Sequence, residues 1–391
     1  MVSVPSVSLD LFSDAALIDP YDNYRALRDL GPLAYLENLG MYVASRHRDI
    51  KEILSRPDIF ISGRGVMLNA VANDAYSGRV GLCSDGDAHR RTRSLEARPL
   101  TPSALRELRA TIKAEADAVA ETICREGRFD AVTRLAQHLP VTIVSSLVGL
   151  PEDGRERMLD WAAANFDAFG PLNDRTMAAL ALCEEMQNYA VTQCVPGKLK
   201  PGSWAAKLHE AADRGEIEEM EARFLALTYV GPSLDTTINA TSSAIWLFAQ
   251  NPRQWDALRE RPAAIPNAIN EAIRLETPLQ AISRYALGDF ELDGTRVPAH
   301  SRIILLYGSA NRDERHWSRP ETFDINRRNA NEHLAFGHGR HQCIGNNLAR
   351  MEIAALLAAL AKRVRRFELH GHERALNNTL RGFKRLDVTV H

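Results

Sequence analysis

The spacing of apolar residues near the N-terminus predicts a helix followed by a small sheet. A helical run covers 20–29, and two apolar segments, 33–36 and 41–43, then flank a turn at 38–40. A short turn between two apolar segments is typical of a β-hairpin. We therefore expect a short sheet directly after the first long helix.

Helical spacing dominates the middle of the chain, from about 89 to 261. Apolar residues recur every three or four positions in 112–123, 141–148 and 222–249, as they do on the buried face of an α-helix. The segment 195–203 contains two Pro-Gly pairs, but helical patterns continue on both sides of it. We interpret it as a surface loop and not as a linker between domains.

The spacing of apolar residues changes again over 285–306. Apolar residues there flank Asp293-Gly294, a strong tight-turn pair, which predicts a second patch of sheet. An irregular stretch, 311–345, then leads into a helix from about 346 to 365. The simplest interpretation is one domain over 1–391, mainly α with small β-sheets, in the α+β class.

Composition and charge narrow the classes of function. The 391 residues are 45% apolar and carry a formal net charge of −2, which fits a globular protein and gives no broad basic field for nucleic acid. No export signal and no run of about 18 apolar residues is visible, so we expect no membrane association. Five cysteines without a CxxC pair favour a reduced, cytoplasmic setting.

The most informative segment surrounds Cys343, in Phe-Gly-His-Gly-Arg-His-Gln-Cys-Ile-Gly over 336–345. One interpretation is a buried structural cysteine, because a lone cysteine commonly behaves as a small apolar residue. A second is a zinc site, because His333, His338 and His341 lie close to Cys343 in sequence. Zinc sites, however, usually combine two ligand clusters, and no second cluster is evident.

A third interpretation, a haem-thiolate site, uses the whole segment. Glycines at 337, 339 and 345 permit close approach to a flat porphyrin, Phe336 can cover the sulfur, and the helix that follows turns its positive end toward a thiolate. The segment resembles the haem-binding signature of the cytochrome P450 family, Phe-Gly-x-Gly-x-(His/Arg)-x-Cys-x-Gly, at every fixed position. The resemblance implies a cytochrome P450-like fold, with haem b between a long central helix and the loop that supplies Cys343 as the iron ligand, and O2 as cosubstrate.

Further motifs extend the resemblance over almost the whole chain. Glu271 and Arg274 match the family's ExxR motif and lie one helical turn apart, where an ion pair can form. Arg327, in a segment that resembles PxxFxxxR, is then the third member of a buried network with a structural role. An ordinary surface pair is the alternative for Glu271 and Arg274 considered alone.

Four cations match the positions at which the family binds the haem propionates. His89 and Arg93 lie one helical turn apart, and Arg284 and His341 match two further positions. Arginine presents a planar fork that suits a carboxylate. Each residue considered alone could equally be a solvated surface group.

Asp235 and Thr236 resemble the family's acid-alcohol pair. The resemblance implies that Asp235 relays protons from solvent and that Thr236 holds the bound oxygen and a water molecule by hydrogen bonds. The chain departs from the usual pattern just before the pair, where Pro232-Ser233 replaces two small residues. Because proline interrupts a helix, we expect Pro232 to enforce a local break in a helix predicted over 229–249.

The resemblance also implies an apolar substrate pocket above the haem. The sequences of three segments, 63–66, 232–236 and 278–284, are similar to those of bacterial members that act on small aromatics, including O-demethylases of methoxyphenols and methoxybenzoates. Phe166, Phe169 and Phe383 could sandwich one ring, and the lack of an obvious pocket cation favours a neutral phenol. The expected substrate-binding residues are Leu68, Phe166, Phe169, Gly231, Leu279, Gln280, Ile282 and Phe383.

Electrons are expected from another protein, because no flavin domain, NAD fingerprint or iron-sulfur cysteine set is visible. We expect a ferredoxin or flavodoxin with an NAD(P)H reductase, and a monomeric oxygenase. A basic cluster is the candidate docking surface, with a solvated charged face as its alternative: Arg90, Arg91, Arg98, Arg106 and Arg109. A peroxide-driven peroxygenase and a haem sensor without turnover remain alternative functions.

Overall fold

The computed structural model describes residues 4–391. Its helices are α1 (Asp14–Ile18), α2 (Tyr21–Leu30), α3 (His47–Leu54), α4 (Ala70–Tyr76), α5 (Gly86–Ala97), α6 (Pro102–Glu126), α7 (Ser145–Val148), α8 (Met158–Ala168), α9 (Asp174–Gln193), α10 (Trp204–Asp213), α11 (Glu219–Thr228), α12 (Gly231–Gln250), α13 (Pro252–Glu260), α14 (Ile265–Leu275), α15 (Tyr307–Ala310) and α16 (Asn346–Arg363). Its strands are β1 (Ser6–Val7), β2 (Ala34–Leu36), β3 (Met41–Ala44), β4 (Phe60–Ile61), β5 (Arg128–Asp130), β6 (Ala281–Ala286), β7 (Phe290–Leu292), β8 (Thr295–Val297), β9 (Arg302–Leu306), β10 (Phe367–Arg374) and β11 (Phe383–Val390). The mainly helical α+β class is confirmed.

The N-terminal sheet is larger than the sequence predicted. The expected hairpin, β2 and β3, forms, but β9 pairs parallel to β3 and β6 pairs antiparallel to β9, giving the order β1-β2-β3-β9-β6-β4. The prediction of a separate second sheet over 285–306 is therefore wrong for β6 and β9. The four positions Ile303–Leu306 are all buried, so β9 needs neighbours on both edges and cover on both faces.

Only the β7–β8 hairpin stands apart in that region, and it turns where the sequence predicted. Asp293 and Gly294 adopt φ of 46° and 75°, the left-handed conformation that a tight two-residue hairpin turn requires. Aspartate and glycine tolerate this conformation better than other residues. A third sheet, in the order β10-β11-β5, combines the last two strands of the chain with β5.

The largest apolar core is formed by the long helices. Ile112 and Ala120 of α6, Ala244 of α12, Ala272 of α14 and Leu360 of α16 are all almost fully buried in it. Within α6, the buried residues Ile112, Ala116, Ala120 and Ile123 recur every three or four positions, which is the pattern that predicted a helix here. Because α12 and α16 both cross this core, the segments at their N-termini are held in fixed positions.

The central helix begins two residues later than predicted. α11 ends at Thr228 and α12 starts at Gly231, so Pro232 lies in the first turn of α12. A proline costs little there, because the N–H groups of a first turn have no partner within the helix. The break in the helix therefore precedes the acid-alcohol pair, and Asp235 and Thr236 lie in regular helix.

Among residues 4–391, no helix combines the length and apolarity needed to cross a lipid bilayer. The organisation of 1–391 as one haem-enclosing domain stays a prediction.

Candidate haem-thiolate site

The loop before α16 is folded back on itself around Cys343. The Cys343 amide donates to the Phe336 carbonyl oxygen at 2.8 Å, which closes the segment 336–343 into a tight turn. Gly337 and Gly339 have φ of 69° and 72°. A side chain at Gly339 would also place its Cβ 2.8 Å from the Leu54 carbonyl oxygen, so this position requires glycine.

The Cys343 sulfur lies at the N-terminus of α16. The amides of Gly345 and Asn346 donate hydrogen bonds to the thiol, and the Asn346 side-chain amide donates to the Cys343 carbonyl oxygen at 2.6 Å. Burial raises the pKa of the Cys343 thiol, whereas the two amides and the nearby Arg93 lower it. These donors and the positive end of the helix favour a thiolate, which is the form of cysteine that binds metal. Gly345 itself has an ordinary φ of −81°, so it contributes its amide and not an unusual conformation.

Aromatic and cationic side chains pack on the loop. The Arg350 guanidinium lies 4.9 Å from the centre of the Phe336 ring, and the His333 ring lies 5.6 Å from it on a tilted plane. Burial lowers the pKa of His333 to about 3, so this imidazole is neutral. Within the described residues, no three histidine, cysteine or acidic side chains converge to hold a metal ion, which argues against the zinc interpretation.

The four predicted propionate partners converge beside this loop. The His89 and His341 rings lie 4.2 Å apart, and Arg93 of α5 donates to the Gln342 carbonyl oxygen. Arg284, on β6, is buried, and its charge acts on His341. Two helical residues, one strand residue and one loop residue thus bring their cationic or donor groups to one place.

The polar atoms at this point fit an anionic ligand such as the two carboxylates of haem. His89 Nδ1 is buried and has no hydrogen-bond partner within residues 4–391, and His341 Nε2 is buried with the Asp85 carboxylate 3.6 Å away, beyond a normal hydrogen bond. A buried donor without a partner is costly, so each is expected to meet an acceptor from the ligand. The Arg284 guanidinium makes one hydrogen bond in the described part of the chain, from Nη1 to the adjacent Ser283 carbonyl oxygen at 2.9 Å, and its planar fork has donors to spare.

Glu271, Arg274 and Arg327 form one buried ion network. Both Glu271 oxygens accept from Arg274, at 2.7 and 2.9 Å, and both accept from Arg327 Nε, at 2.9 and 3.0 Å. The guanidinium groups donate their remaining hydrogens to main-chain carbonyls, including those of Asn311 and Thr322. The network therefore holds the irregular segment before the cysteine loop against α14, as the ExxR resemblance implied.

Asp235 and Thr236 lie near the start of α12. The Thr236 hydroxyl donates to the Pro232 carbonyl oxygen at 2.6 Å, the bond that a helical threonine commonly makes one turn back. One oxygen of Asp235 is buried without a partner among the described residues. Burial, with a smaller contribution from the charge of Asp167, raises the pKa of Asp235 to about 7. The Asp235 carboxyl is thus poised to bind and release a proton near neutral pH.

Four of the predicted substrate residues meet in one apolar cluster. Phe166, Phe169 and Ile282 are buried in it, with Leu279 packed against it, and the two phenyl rings lie 5.6 Å apart. Gly231 faces the same end of α8, because a Cβ there would lie 3.7 Å from Asn165 Nδ2.

Three other predicted substrate residues lie elsewhere. Leu68 packs in the core of the N-terminal sheet, and its amide donates to the Phe169 carbonyl oxygen at 2.8 Å. Gln280 accepts from the Tyr24 hydroxyl at 3.2 Å and donates to the Thr277 carbonyl oxygen at 2.6 Å. Adjacent residues of an extended segment point to opposite faces, so Gln280 cannot share the direction of Leu279.

Phe383 is the third correction. Its ring lies 5.6 Å from Trp246 and beneath the Arg374 guanidinium, at 4.0 Å, in the core between α12 and the C-terminal sheet. The predicted sandwich of one substrate ring among Phe166, Phe169 and Phe383 is therefore wrong. Phe166 and Phe169 lie side by side in the other cluster, and their role in substrate binding stays a prediction.

Sequence reasoning missed Asp85, which holds the site together from the start of α5. Its carboxylate accepts from the Gly63 and Ser62 amides, at 2.6 and 3.2 Å, and lies 3.6 Å from His341 Nε2. It thereby ties the segment after β4 to the cysteine loop. The only available signal was its position directly before a helix, where acidic residues are common for many reasons.

Comparison with known proteins gives the same family for the chain as a whole. The family model "Cytochrome P450" matches residues 203–387. Cytochrome P450 CYP199A2 of Rhodopseudomonas palustris is 36% identical over 99% of this chain and 95% of its own length. Linalool 8-monooxygenase of Pseudomonas putida is 29% identical over 95% of each chain. The solved structure of cytochrome P450-153 from Novosphingobium aromaticivorans superposes with a TM-score of 0.84, at 26% identity over 97% of this chain and 98% of its own.

Similarity that covers almost the entire length, a shared fold and a cysteine loop at the head of α16 lead to one conclusion: this chain belongs to the cytochrome P450 family, haem-dependent monooxygenases that use O2 as cosubstrate.

Proposed function

We propose that this P450 inserts one oxygen atom into a small hydrophobic, aromatic substrate, with O-demethylation of a methoxy-aromatic as its reaction. The observation that carries the proposal is the placement of Phe166, Phe169, Leu279 and Ile282 in one apolar cluster, which suits a flat, apolar ring. Aromatic rings stack or tilt against one another at the spacing found between Phe166 and Phe169. Gly231 provides room beside them.

In this proposal Cys343 is the iron ligand, and Phe336, Gly337 and Gly345 shape the loop that presents it. His89, Arg93, Arg284 and His341 hold the haem propionates. Haem, when bound, supplies the reductive activation of O2 and the transfer of one oxygen atom to the substrate. The polypeptide positions the substrate, excludes water and delivers protons.

Proton delivery is assigned to Asp235 and Thr236. Asp235 can carry a proton near neutral pH because burial raises its pKa to about 7. The Thr236 hydroxyl donates its hydrogen to the Pro232 carbonyl oxygen, so its lone pairs are free to accept a hydrogen bond. Hydroxylation of a methoxy carbon then gives a hemiacetal, which collapses to a phenol and formaldehyde.

The ligand assignment is tested by the spectrum of the reduced carbon monoxide complex. Wild-type protein should show the Soret band characteristic of thiolate ligation. Cys343→Ser should lose that band, whereas Cys124→Ser, at a half-exposed cysteine of α6, should keep it. Haem-loaded, folded wild-type protein that lacks the band would contradict the assignment.

The substrate assignment is tested by titration with para-methoxyphenol and para-methoxybenzoate. We expect the phenol to shift the Soret band and to yield formaldehyde on turnover, with the benzoate binding more weakly because its carboxylate would leave water for an apolar surrounding. Phe169→Ala should weaken binding of the phenol. If neither compound shifts the band or yields formaldehyde, the proposed reaction is wrong.

We further propose a ferredoxin or flavodoxin as electron donor, supplied by an NAD(P)H reductase, and a monomeric protein in the cytoplasm. Of the basic cluster, Arg91 and Arg98 already pair with Glu221 and Glu216, at 3.2 and 2.7 Å. Arg106 and Arg109 are exposed on α6, where they can attract an acidic partner. Turnover with hydrogen peroxide alone at the rate supported by NAD(P)H and ferredoxin would favour a peroxygenase instead.

A further inference from the structure

Asn165 is a buried polar residue of α8 that stands beside the two aromatic rings of the apolar cluster. Its side chain belongs to a residue that is only 8% exposed. Residues three or four positions apart share one face of a helix, so Asn165 and Phe166 both lie on the side of α8 that carries its cap residue, Phe169. A buried amide needs hydrogen-bond partners, and the partners of Asn165 decide what this side chain can recognise.

The Asn165 amide is oriented by Tyr76, from α4. The Tyr76 hydroxyl donates to Asn165 Oδ1 at 3.0 Å. The direction of this bond is fixed, because the Gln187 side chain of α9 donates to the Tyr76 hydroxyl oxygen, and burial raises the pKa of Tyr76 so that the hydroxyl keeps its proton. The oxygen of the Asn165 amide is therefore bound by Tyr76, and the nitrogen is directed away from it.

The nitrogen of the same amide lies beside the first turn of α12. A Cβ added to Gly231 would stand 3.7 Å from Asn165 Nδ2, the one described atom outside α12 within 4 Å of that position. The bond from Tyr76 is the only hydrogen bond that the Asn165 side chain makes within residues 4–391. Asn165 Nδ2 is not one of the fully enclosed unpartnered atoms, so its two N–H donors are open to a ligand.

The donor stands at one end of the aromatic cluster and the acid-alcohol pair lies further along α12. The Tyr76 ring meets the Phe169 ring edge-on at 6.4 Å, and the Phe169 ring is tilted against the Phe166 ring at 5.6 Å. In regular helix, the five residues from Gly231 to Thr236 rise about 7.5 Å along the axis. This separation is comparable with the span of a benzene ring that carries two substituents in para positions.

We propose that Asn165 is a specificity-determining residue, whose Nδ2 donates a hydrogen bond to a neutral oxygen acceptor para to the methoxy group of the substrate. The proposal rests on the proposed function and narrows its substrate class to methoxy-aromatics with a phenol or carbonyl oxygen at the far end of the ring. A neutral amide brings no charge to offset the desolvation of a carboxylate, which favours a neutral acceptor. A site with a buried donor also rejects ligands that lack the acceptor, because they leave the donor unpaired.

Titration of the Soret band with two ligands of similar size tests the proposal in the full-length, haem-loaded protein. para-Methoxyphenol carries the oxygen, and para-methoxytoluene has a methyl group in its place. Asn165→Leu keeps the approximate size of the side chain and removes the donor. We expect it to reduce the preference for the phenol, measured as the ratio of the two Kd values, by about 10-fold relative to wild type, the effect of one hydrogen bond. Asn188→Leu, the same change at an exposed position of α9, is the control and should keep the wild-type ratio.

Tyr76→Phe is a second, milder variant. It keeps the ring against Phe169 and removes the hydrogen bond that orients Asn165, so the ratio should fall by a smaller factor. A merely structural role for the two residues would weaken both ligands equally and leave the ratio unchanged.

An unchanged ratio in Asn165→Leu overturns the inference, and if that variant fails to fold, an unchanged ratio in Tyr76→Phe does so. In either case, a Soret shift of wild type with para-methoxyphenol leaves the proposed function standing. If wild type binds neither ligand, the proposed substrate class and this inference are both wrong.

Discussion

Glu271, behind the cysteine loop, and Asp235, in the central helix, are both carboxyls removed from water, and their surroundings are opposite. Glu271 is fully buried and accepts five hydrogen bonds, from Arg274, Arg327 and the Asp324 amide. One oxygen of Asp235 has no hydrogen-bond partner among the described residues. The charged group that affects its pKa is a second carboxyl, Asp167, and not a cation.

The difference separates two uses of buried charge. A carboxylate that accepts hydrogen bonds from several guanidinium groups fixes the geometry of the segments that carry them. A carboxyl without a cation gains and loses a proton at a pH near neutrality, at a cost in stability. The segments around the Glu271 network and the Cys343 loop, here called the cysteine side, are therefore fixed in position. The segments of α8 and α12 around Asp235, here called the α8–α12 side, hold a carboxyl that can gain and lose a proton.

The largest effect is expected when the Glu271 network is broken. Glu271→Ala leaves the guanidinium groups of Arg274 and Arg327 buried without a counter-charge, which typically costs about 3–5 kcal/mol. We expect the free energy of unfolding to fall by that amount and the haem content to fall with it. Chemical denaturation and the ratio of haem to protein measure the two effects.

The matched control for this variant is Glu260→Ala, at the exposed end of α13. It removes the same atoms from a site without a buried partner, where little change is expected. Normal stability and haem content in Glu271→Ala would show that the network is not what holds the loop.

Thr236→Ala tests the other side of the comparison. The variant leaves Asp235 in place and removes the hydroxyl that receives its proton, so product formation should fall by about 100-fold, within the usual range for loss of a proton donor. NAD(P)H consumption should continue, with peroxide replacing product. Thr236→Ser restores a hydroxyl and should restore much of the coupling, and full coupling in Thr236→Ala would exclude this role.

The sequence predicted the cysteine side far better than the α8–α12 side. A fixed geometry needs particular residues at particular spacings, and Glu271, Arg274, Arg327 and Cys343 stand in such patterns. The structure brings the first three into one network and places the cysteine at the head of α16. Local spacing was sufficient because each motif lies within one turn of helix or one tight loop.

The substrate side depends on contacts between segments that are distant in sequence. Phe383 packs on Trp246, and Leu68 enters the sheet core, because the pairing of β11 and the placement of the segment before α4 decide which way each side chain points. Neither the pairing of β11 nor the placement of the segment before α4 can be predicted from an isolated apolar residue.

Glu352, on α16, is a buried carboxyl with unpartnered oxygen atoms, as Asp235 is, but it lies on the cysteine side. Both of its oxygens are buried without a partner among the described residues, and burial raises its pKa to about 8. A raised pKa means that the folded state binds the proton more tightly than the unfolded state. The stabilisation is therefore complete below the unfolded pKa and is lost as the pH rises toward 8.

We accordingly expect the free energy of unfolding to decrease between about pH 5 and pH 8, with Glu352 contributing a slope of about 1.4 kcal/mol per pH unit. Glu352→Gln should remove this contribution, and Glu107→Gln, at an exposed position of α6, should not. Denaturant titrations of the three proteins across this pH range provide the measurement. A slope that is the same in Glu352→Gln and wild type would mean that Glu352 does not titrate in this pH range.

The smallest effect is expected at the surface, where charge acts through solvent. Arg106 and Arg109 are exposed, whereas Arg91 and Arg98 are already neutralised by ion pairs. Reversal of both free charges, Arg106→Glu with Arg109→Glu, should lower the rate of reduction by an acidic ferredoxin by about 10-fold at low ionic strength, and the difference should vanish at high salt. Lys207→Glu, an exposed reversal on α10, serves as the control. Equal rates for the double variant and this control would place electron entry on another face of the protein, while leaving the contrast between the fixed and the proton-bearing carboxyls intact.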